Sequence, residues 1–479
     1  MKLRSLPAGA LALAAASALL CAAPTLLADT GVPATRPGAP GGTATPGPRP
    51  GSAGGNGPII SPALVAEVRA KSRVRSIIQL KPGESVEAVA KDIEQASGSS
   101  RVLEAASSPH FFVAEVDSAT LARLEKDDRV QAVYKDELSM PALDTSTAVI
   151  HSDRANQAGW TGKGTTVAIL DTGIDRDHPF LTGRIVDEAC FSSSDARDGT
   201  VSLCPNNEPA QTGPGAADAE TAQCIVEGVN ACSHGTHVAG IAAGRMTTGA
   251  PANGVAPEAG ILPIQVFSRV NNPAICVVGR TPPPCFLSYV SDQKLALEYV
   301  ARVVRAHNVA AVNMSLGGGG PFSQACDADG TGAAVKPEFD TLVSLGVAPV
   351  VAAGNNGFTN GVAAPACVSS AVAVGATDDH DHLAGFTNRG PLLDLFAPGV
   401  GITSSVPDDT YREQSGTSMA APHVAGMFAL MKQAYPDFTV AQSLERLKGT
   451  GAAIRYSAAG TSVTTARIDA EQATAAAHA

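Results

Sequence analysis

Apolar residues follow two different patterns along the chain, and these patterns divide it into a small and a large folded region. In the small region, VRSIIQL, RVLEAAS, HFFVAEV and VQAVYKDE predict strands, because short apolar runs end at polar or turn-forming residues. SVEAVAKDIEQAS and SATLARLEKD have the spacing of amphipathic helices. The predicted order is β-α-β-β-α-β within about 65 residues, which is a small split βαβ unit.

The second pattern begins after Met140 and has a larger scale. Strands are predicted at VAILD, ILPIQVF, AAVNMSL, APVVAAGN and AVAVGAT, and helices at HVAGIAAG, at SDQKLALEYVARVVRAH and from near Ser418. Continuous β-branched runs that alternate with helices indicate a largely parallel sheet whose two faces are both covered. The predicted fold class is therefore α/β, with the small α+β unit in front of it.

A basic start followed by an Ala/Leu stretch up to Leu20 predicts a secretory signal peptide over residues 1–28. Cleavage is expected after Ala28, with Ala23 as the alternative. Proline and glycine interrupt the apolar run, which is also short for a membrane-spanning helix of about 20 residues. Cys21 leaves a lipid anchor as an alternative reading of the same segment.

Three further boundaries follow from composition. Proline and glycine are so dense after the signal segment that we expect a linker over residues 29–72. The small unit then occupies residues 73–143 and the large domain residues 144–479.

The formal net charge of −11 disfavours nonspecific attraction to nucleic acid or anionic membranes.

Eight of the nine cysteines lie beyond residue 189, and an even number in an exported chain favours disulfide bonds over a metal site. Tight Cys-x-x-Cys spacing, which metal binding would favour, is absent from the sequence. Eight cysteines allow 105 complete pairings. Closeness in sequence suggests only Cys224 with Cys232 and Cys276 with Cys285.

Four segments of the large domain carry candidates for acyl transfer, which needs a nucleophile, a base, an orienting group and an oxyanion donor. Asp171 ends the strand VAILD, although an acid there is more often a helix cap. His234 lies before a tightly packing helix, with His237 as the competing base. Ser418 stands at a predicted helix start, where a plain N-cap serine is the alternative. Asn355 follows a strand, although Asn-Asn-Gly is also ordinary turn chemistry.

The order of the candidate residues along the chain distinguishes between families of serine hydrolases. The segment around Ser418 is not Gly-x-Ser-x-Gly, and the candidates occur in the order Asp, His, Ser. An α/β-hydrolase would have the order Ser, acid, His. An esterase of that fold is therefore disfavoured.

Five motifs, DTGID, HGTHVAG, NMSLGG, AAGN and GTSMAAPHVAG, together resemble the subtilisin-like serine protease family, peptidase S8, from about residue 145 to the end. The resemblance implies a three-layer domain with a mainly parallel sheet. It also implies that Asp171 orients the imidazole, that His234 is general base and then acid, and that Ser418 attacks. Asn355, with the Ser418 amide, would hold the oxyanion.

The resemblance also implies a substrate-binding segment. Ser315, Leu316 and Gly317 would lend backbone groups to an extended peptide, and Gly354 would border the pocket for the residue before the scissile bond. Without the resemblance, the glycine run 317–320 is a flexible turn.

The small unit resembles the I9-type inhibitory propeptide of the same proteases, a ferredoxin-like α+β domain, most visibly in FFVAEVDSATLARLEKDDRVQAVYKDE. We expect it to assist folding, since sheets with many nonlocal contacts fold slowly, and to plug the cleft. Self-cleavage is expected between Leu138 and Ala148, with the bond after Leu143 as the guess.

No cofactor is expected for the chemistry, whereas the resemblance allows structural calcium without assigning ligands, so the metal site stays unknown. The carboxylates and imidazoles of TDDHDH (377–382) are read as a surface turn. The sequence predicts a secreted, monomeric serine endopeptidase, made as a self-processing precursor, with polypeptide substrates and its own propeptide as partners. Neither nucleic acid nor membrane is an expected partner. A catalytically inactive binding protein on the same fold and an acyl hydrolase with the same triad are the alternatives.

Overall fold

The computed structural model describes residues 58–60, 62–70, 73–81, 83–96, 101–104, 111–135, 143–277 and 282–475. The chain divides into two compact units, Met1–Asp136 and Glu137–Ala479. The predicted signal peptide, its cleavage after Ala28 and most of the predicted linker lie outside the described residues. None of the helices in the described ranges is both long and apolar enough to cross a membrane.

The first unit is a five-stranded sheet with helices. Its elements are β1 (Ile59–Ile60), α1 (Pro62–Ala70), β2 (Val74–Leu80), α2 (Val86–Ala96), β3 (Arg101–Glu104), β4 (Phe111–Val116), α3 (Ser118–Leu124) and β5 (Val130–Lys135). The strand order is β1-β5-β2-β4-β3, and all pairs except β1 with β5 are antiparallel. Ile78, Phe112 and Val133 are buried in its core. From β2 to β5 the elements follow the predicted β-α-β-β-α-β order.

The expectation of a linker up to residue 72 is wrong in its last part, because β1 and α1 lie there. Pro62 occupies the first position of α1, where its missing N–H costs no hydrogen bond. Leu64 and Val68, one helical turn apart, are buried in the core of the unit. The density of proline and glycine before residue 58 hid this short apolar pattern.

The second unit contains a ten-stranded sheet. Its strands are β6 (Thr166–Asp171), β7 (Ala189–Phe191), β9 (Ala210–Thr212), β12 (Gly260–Gln265), β15 (Val309–Met314), β17 (Ala348–Ala352), β19 (Val372–Thr377), β20 (Leu395–Pro398), β23 (Ala452–Ala458) and β24 (Thr461–Arg467). The order is β23-β24-β20-β19-β17-β15-β6-β12-β7-β9. Only β23 with β24 and β7 with β9 are antiparallel within this sheet.

Shorter strands and the helices complete the second unit. The strands are β8 (Thr200–Ser202), β10 (Ile225–Val226), β11 (Val229–Asn230), β13 (Ser268–Val270), β14 (Cys285–Leu287), β16 (Gly318–Phe322), β18 (Val362–Ala364), β21 (Ile402–Val406) and β22 (Thr410–Gln414). The helices are α4 (Leu143–Val149), α5 (Ser152–Gln157), α6 (Ser233–Ala243), α7 (Pro273–Cys276), α8 (Val290–His307), α9 (Gly330–Ser344), α10 (Thr417–Ala434), α11 (Val440–Thr450) and α12 (Ala470–Thr474).

Alternate residues of the central strands face two separate hydrophobic cores. In β6, Val167 and Ile169 pack in the core that contains residues of α6 and α10. Ala168 and Leu170 pack on the opposite face, with residues of α8 and α9. Both faces are therefore covered by helices, which explains why these strands read as unbroken apolar runs. The predicted three-layer, mainly parallel fold is confirmed.

Four disulfide bonds join the eight cysteines of the second unit: Cys190–Cys204, Cys224–Cys232, Cys276–Cys285 and Cys326–Cys367. The two pairings suggested by closeness in sequence are both present. The other two could not be chosen from the sequence, because their cysteines are 14 and 41 residues apart.

Candidate active site

The carboxyl edge of the ten-stranded sheet brings together residues that are far apart in sequence. Asp171 is the last residue of β6. In the neighbouring parallel strand, Asn313 is paired with Ile169, so Ser315 follows β15 level with Asp171. β17 runs parallel to β15 on its other side, and Asn355 follows it. Open α/β sheets build their sites at this edge.

The first pair of candidate residues is in direct contact. His234 is the second residue of α6, and its Nδ1 lies 2.8 Å from Oδ1 of Asp171. The Asp171 side chain is 1% exposed and that of His234 is 29% exposed. The carboxylate is thus shielded from water, while the imidazole stays open on one side.

Thr172 connects the end of β6 to the start of α6. Its hydroxyl donates to the backbone oxygen of Cys232 (2.8 Å) and accepts from the backbone N–H of Gly235 (2.9 Å). Its own N–H donates to Oδ1 of Asp171 (2.8 Å). These bonds fix the carboxylate of Asp171 and the imidazole of His234 in position relative to each other. This role of Thr172 was not predicted from the sequence, where a hydroxyl residue directly after the acid is the signal that points to it.

The environment of His234 determines when it can act as a base. Burial lowers the pKa of His234, but the charge and hydrogen bond of Asp171 raise it by more, so the net pKa lies above the ordinary value. Only the neutral imidazole can accept a proton. Any reaction that uses His234 as a base should therefore lose rate as the pH falls through this raised pKa.

Ser418 lies in the first turn of α10 and is half-buried. Its hydroxyl donates to the backbone oxygen of Ser315 (3.2 Å), and the Ser315 hydroxyl donates back to the Ser418 backbone oxygen (2.7 Å). In the described part of the chain no hydrogen bond joins the Ser418 hydroxyl to His234. The two are nevertheless on packed helices, since Val238 of α6 and Met419 of α10 share one core.

Asn355 is held beside the start of α10 by its side-chain oxygen. Oδ1 accepts from the N–H (2.8 Å) and the hydroxyl (2.9 Å) of Thr417. Because the oxygen is engaged, the NH₂ group is the end left to donate to a ligand. A Cβ added at Gly416 would lie 3.3 Å from Nδ2, so a larger residue there would crowd this amide.

Two glycines of the candidate substrate-binding segment cannot carry a side chain. Gly317 has φ +155°, and a Cβ there would lie 2.6 Å from the backbone oxygen of Ala364. Gly354 has φ +100°, and a Cβ would lie 2.5 Å from Nδ2 of Asn388. Both conformations favour glycine. Gly317 is exposed, as is β16 apart from its half-buried last residue, so backbone groups there are open to a ligand.

A comparison with protein families identifies the domain. The model of the subtilase family, peptidase S8, matches residues 162–475, which include every candidate residue described above. The chain belongs to the subtilase family. It is a serine-type endopeptidase, and the subtilisin-like resemblance read from the five motifs is confirmed.

Several relatives of this subtilase are bacterial subtilisins. Subtilisin E of Bacillus subtilis (strain 168) is 31% identical over 344 residues, which span 70% of this chain and 74% of the relative. Subtilisin Savinase of Lederbergia lenta is 30% identical over 305 residues, 64% of this chain and 90% of the relative. Among solved structures, a cold-adapted subtilisin-like serine proteinase has 29% identity and a TM-score of 0.44, covering 64% of this chain and 90% of that chain.

His237, the competing base in this subtilase, is buried away from the site. Its Nε2 lies 3.0 Å from the backbone oxygen of Ile402 and 2.9 Å from that of Arg412. Burial lowers the pKa of His237 to about 3. It is therefore neutral in ordinary conditions and ties α6 to the hairpin of β21 and β22.

The subtilase has one group of three close carboxylates among its described residues, formed by Asp175, Asp177 and Glu220. One oxygen of each lies within 4.8 Å of the others. Burial, then the charge of Glu220, raises the pKa of Asp175 to about 7. Such hard oxygen donors suit Ca²⁺. The TDDHDH turn does not form such a group in the described chain: Asp378 pairs with His382, and Asp381 with Arg467.

Proposed function

We propose that Ser418 is the nucleophile of this endopeptidase, His234 its general base and acid, and Asp171 the group that orients the imidazole. The observation that carries the proposal is the 2.8 Å contact between His234 Nδ1 and Asp171 Oδ1, at the sheet edge that also holds Ser315, the partner of Ser418. Contact through Nδ1 leaves Nε2 as the nitrogen that takes the serine proton.

Acylation begins when the Ser418 hydroxyl exchanges its bond to Ser315 for one to His234. Oγ attacks the peptide carbonyl carbon as Nε2 accepts the proton, and the buried Asp171 carboxylate stabilises the imidazolium. Collapse of the tetrahedral intermediate breaks the C–N bond, and the proton passes from His234 to the leaving amine. Water then repeats the sequence on the acyl-enzyme and releases the second product.

The oxyanion is stabilised by two donors beside the nucleophile. One is Nδ2 of Asn355, whose Oδ1 is held by Thr417, and the other is the N–H of Ser418 in the first turn of α10. The N-terminal end of this helix also favours the developing negative charge. The Ser315–Gly317 segment binds the backbone of the substrate, and Gly354 borders the pocket for the residue before the scissile bond. Recognition through the backbone supports a broad range of polypeptide substrates.

The small first unit acts as an intramolecular propeptide in this proposal, and the enzyme is exported as a precursor. The ferredoxin-like order of β2 to β5 supports the first statement, and four disulfides support export. The boundary after Leu143 falls in the first turn of α4, so that turn must unwind before the bond can be bound as an extended strand. Structural calcium would find ligands in Asp175, Asp177 and Glu220, and takes no part in acyl transfer.

The test of the active-site assignment is Asn355→Ala. Loss of one such donor lowers kcat about 10²- to 10³-fold, a magnitude known from a subtilisin itself. We expect a comparable loss on casein with little change in KM, because Asn355 acts on the transition state. Asn356→Ala, one residue away, is the matched control. Near wild-type turnover of Asn355→Ala would refute the assignment.

A serine-directed phosphonate distinguishes the proposal from an inactive binding protein. We expect one label per chain, on Ser418, and none in Ser418→Ala. Hydrolysis of a lipid ester in preference to a folded protein would instead favour the acyl hydrolase. Absence of labelling together with absence of casein hydrolysis would favour the binding protein.

A further inference from the structure

The backbone oxygen of Ser418 cannot form the hydrogen bond that an α-helix usually provides. In such a helix a backbone oxygen accepts from the N–H four residues later. Four residues after Ser418 stands Pro422, which lies inside α10 and has no N–H. The proline ring also crowds the carbonyl group four residues before it. The backbone oxygen of the proposed nucleophile therefore needs a donor from outside this pattern.

Ser315, directly after β15, supplies a donor. Its hydroxyl donates to the Ser418 backbone oxygen at 2.7 Å. In the same peptide group, the N–H of Met419 donates to the backbone oxygen of Gly416 at 3.0 Å. Both ends of the peptide group that follows Ser418 are thus bonded, so this group cannot rotate without breaking a hydrogen bond. It is attached to the Cα atom that carries the Ser418 side chain.

Asn313 determines in which direction the Ser315 hydroxyl points. Its Nδ2 donates to Oγ of Ser315 at 3.0 Å. Because the amide nitrogen can only donate, Oγ uses a lone pair on Asn313 and keeps its own proton for the Ser418 backbone oxygen. Asn313 is 0% exposed and Ser315 is 4% exposed, so both bonds are shielded from water.

The asparagine is costly at this place in the sheet. Every other residue of β15 is apolar and buried. Oδ1 of Asn313 is buried and has no hydrogen-bond partner among the described residues. A buried polar atom in this state costs free energy of folding. The bond from Nδ2 to Ser315 is what the side chain contributes in return.

We propose that Asn313 and the hydroxyl of Ser315 are positioning residues for the nucleophile of this protease, an inference that rests on the proposed function. They hold the backbone of Ser418 on β15, beside the strand that ends in Asp171. When the Ser418 hydroxyl leaves the Ser315 backbone oxygen to bond to His234, the bond from Ser315 Oγ remains. Oγ and N–H of Ser418 therefore stay aligned for attack and for oxyanion binding.

The experiment measures kcat, KM and the rate of labelling by a serine-directed phosphonate in Ser315→Ala. The chains labelled at completion are counted and kcat is expressed per labelled chain, which corrects for unprocessed precursor. We expect kcat and the labelling rate each to fall about ten- to a hundredfold, because small displacements of a reacting group are costly. KM should change little, since the backbone groups of Ser315 remain.

Thr165→Val is the matched control for the loss of a buried hydroxyl. The Thr165 hydroxyl also donates to a backbone oxygen, that of Gly162, at 2.7 Å. Thr165 directly precedes β6, at the edge of the sheet opposite to the active site. This variant should therefore keep the wild-type kcat and labelling rate.

Asn313→Leu tests whether the amide acts through the Ser315 hydroxyl. Leucine is similar in size and leaves no unpaired polar atom in the strand. We expect kcat to fall about three- to tenfold, the worth of one hydrogen bond. The double variant Asn313→Leu/Ser315→Ala should lose no more than Ser315→Ala alone, because the amide then has no hydroxyl to direct. Two independent effects would multiply instead.

The outcomes for the two proposals are distinguishable. Wild-type kcat and labelling rate in Ser315→Ala would overturn the positioning role, and so would a loss in the double variant equal to the product of the single losses. If Ser315→Ala does not fold, wild-type kcat in Asn313→Leu would overturn the proposal by itself. Labelling of the wild-type enzyme at a residue other than Ser418 would instead refute the proposed function.

Discussion

The hydroxyl of Thr172 bonds to Cys232, two residues before His234, and to Gly235, the residue after it. Its loss should therefore disturb catalysis without removing a catalytic group. Thr172→Val keeps the shape but cannot bond to Cys232 or Gly235. We expect kcat to fall about ten- to a hundredfold, because small displacements of a base are costly, with KM changed little. Steady-state kinetics on a peptide substrate measure both constants.

Thr172→Ser is the matched control, since it restores the hydroxyl without the methyl group and should have near wild-type kcat. Wild-type kcat in the valine variant would show that the Thr172 bonds do not position the base.

At the residue scale, candidate positions that belong to a motif could be found in the sequence, whereas contacts with a distant partner could not. Asp171, His234, Asn355 and Ser418 stand in recognisable segments, and the sheet edge brings their segments together. Thr172 acts through a carbonyl 60 residues away. A bonding partner at such a distance leaves no periodic or spacing signal.

Among elements, α6 is attached at its start by a disulfide. Cys232 directly precedes the helix and forms a disulfide bond with Cys224. Its backbone oxygen also accepts a hydrogen bond from the Thr172 hydroxyl. Replacing both cysteines of this pair by serine should lower Tm, by the equivalent of about 2–4 kcal/mol, and should also lower kcat. The loss of kcat follows because the start of α6 carries His234.

The control for this disulfide is the pair Cys276 and Cys285, which closes a loop of similar length on α7 and β14. The variant with both of these cysteines replaced by serine should have a lower Tm but an unchanged kcat. Thermal unfolding and steady-state kinetics on both variants separate the effects. Equal kcat values in the two variants would argue against a positioning role for Cys224–Cys232.

The three close carboxylates of Asp175, Asp177 and Glu220 should make the stability of the fold depend on pH. The pKa of Asp175 is raised to about 7, against about 3.9 in an unfolded chain, so the folded state holds a proton more tightly. This stabilises the fold at low pH, and the contribution is lost as the pH rises to about 7. Asp177→Asn removes one neighbouring negative charge, so it should raise Tm more at pH 8 than at pH 5.

Thermal melts of this variant should be recorded in the presence of EDTA, so that no divalent cation neutralises the carboxylates. Asp437→Asn, an exposed aspartate elsewhere, controls for the change in net charge. A Tm gain for Asp177→Asn that is equal at both pH values, or equal to that of the control, would contradict the electrostatic explanation.

Elements with strong apolar periodicity could be predicted, and those in biased composition could not. The strands of both sheets read correctly wherever their buried residues form a run, as in VAILD, or alternate, as in VRSIIQL. α1 was missed because it is short and follows a stretch rich in proline and glycine. The short strands β8 to β11 have few buried apolar residues, so their sequence carries no periodic pattern. Disulfide bonds join the segments of this region.

At the scale of the whole molecule, two compact units in one chain could be predicted because the scale of alternation changes after Met140. In the first unit β2 forms antiparallel pairs with β4 and β5, whereas the mainly parallel sheet of the second unit needs crossovers through helices. The change from one pattern to the other therefore marks a boundary between folding units. The proposed cleavage after Leu143 requires local unwinding of α4, which a linear pattern does not encode.

Self-processing can be tested on the whole chain with Ser418→Ala. If the protease cuts its own precursor, removal of the nucleophile should leave both units in one polypeptide after secretion from a host without extracellular proteases. Intact mass and N-terminal sequencing distinguish precursor from product. Ser415→Ala, three residues earlier and exposed, should mature normally. Trace wild-type enzyme should cut the Ser418→Ala precursor, because its cleavage site is unchanged. A fully matured Ser418→Ala product from that host would mean that another agent cuts the chain.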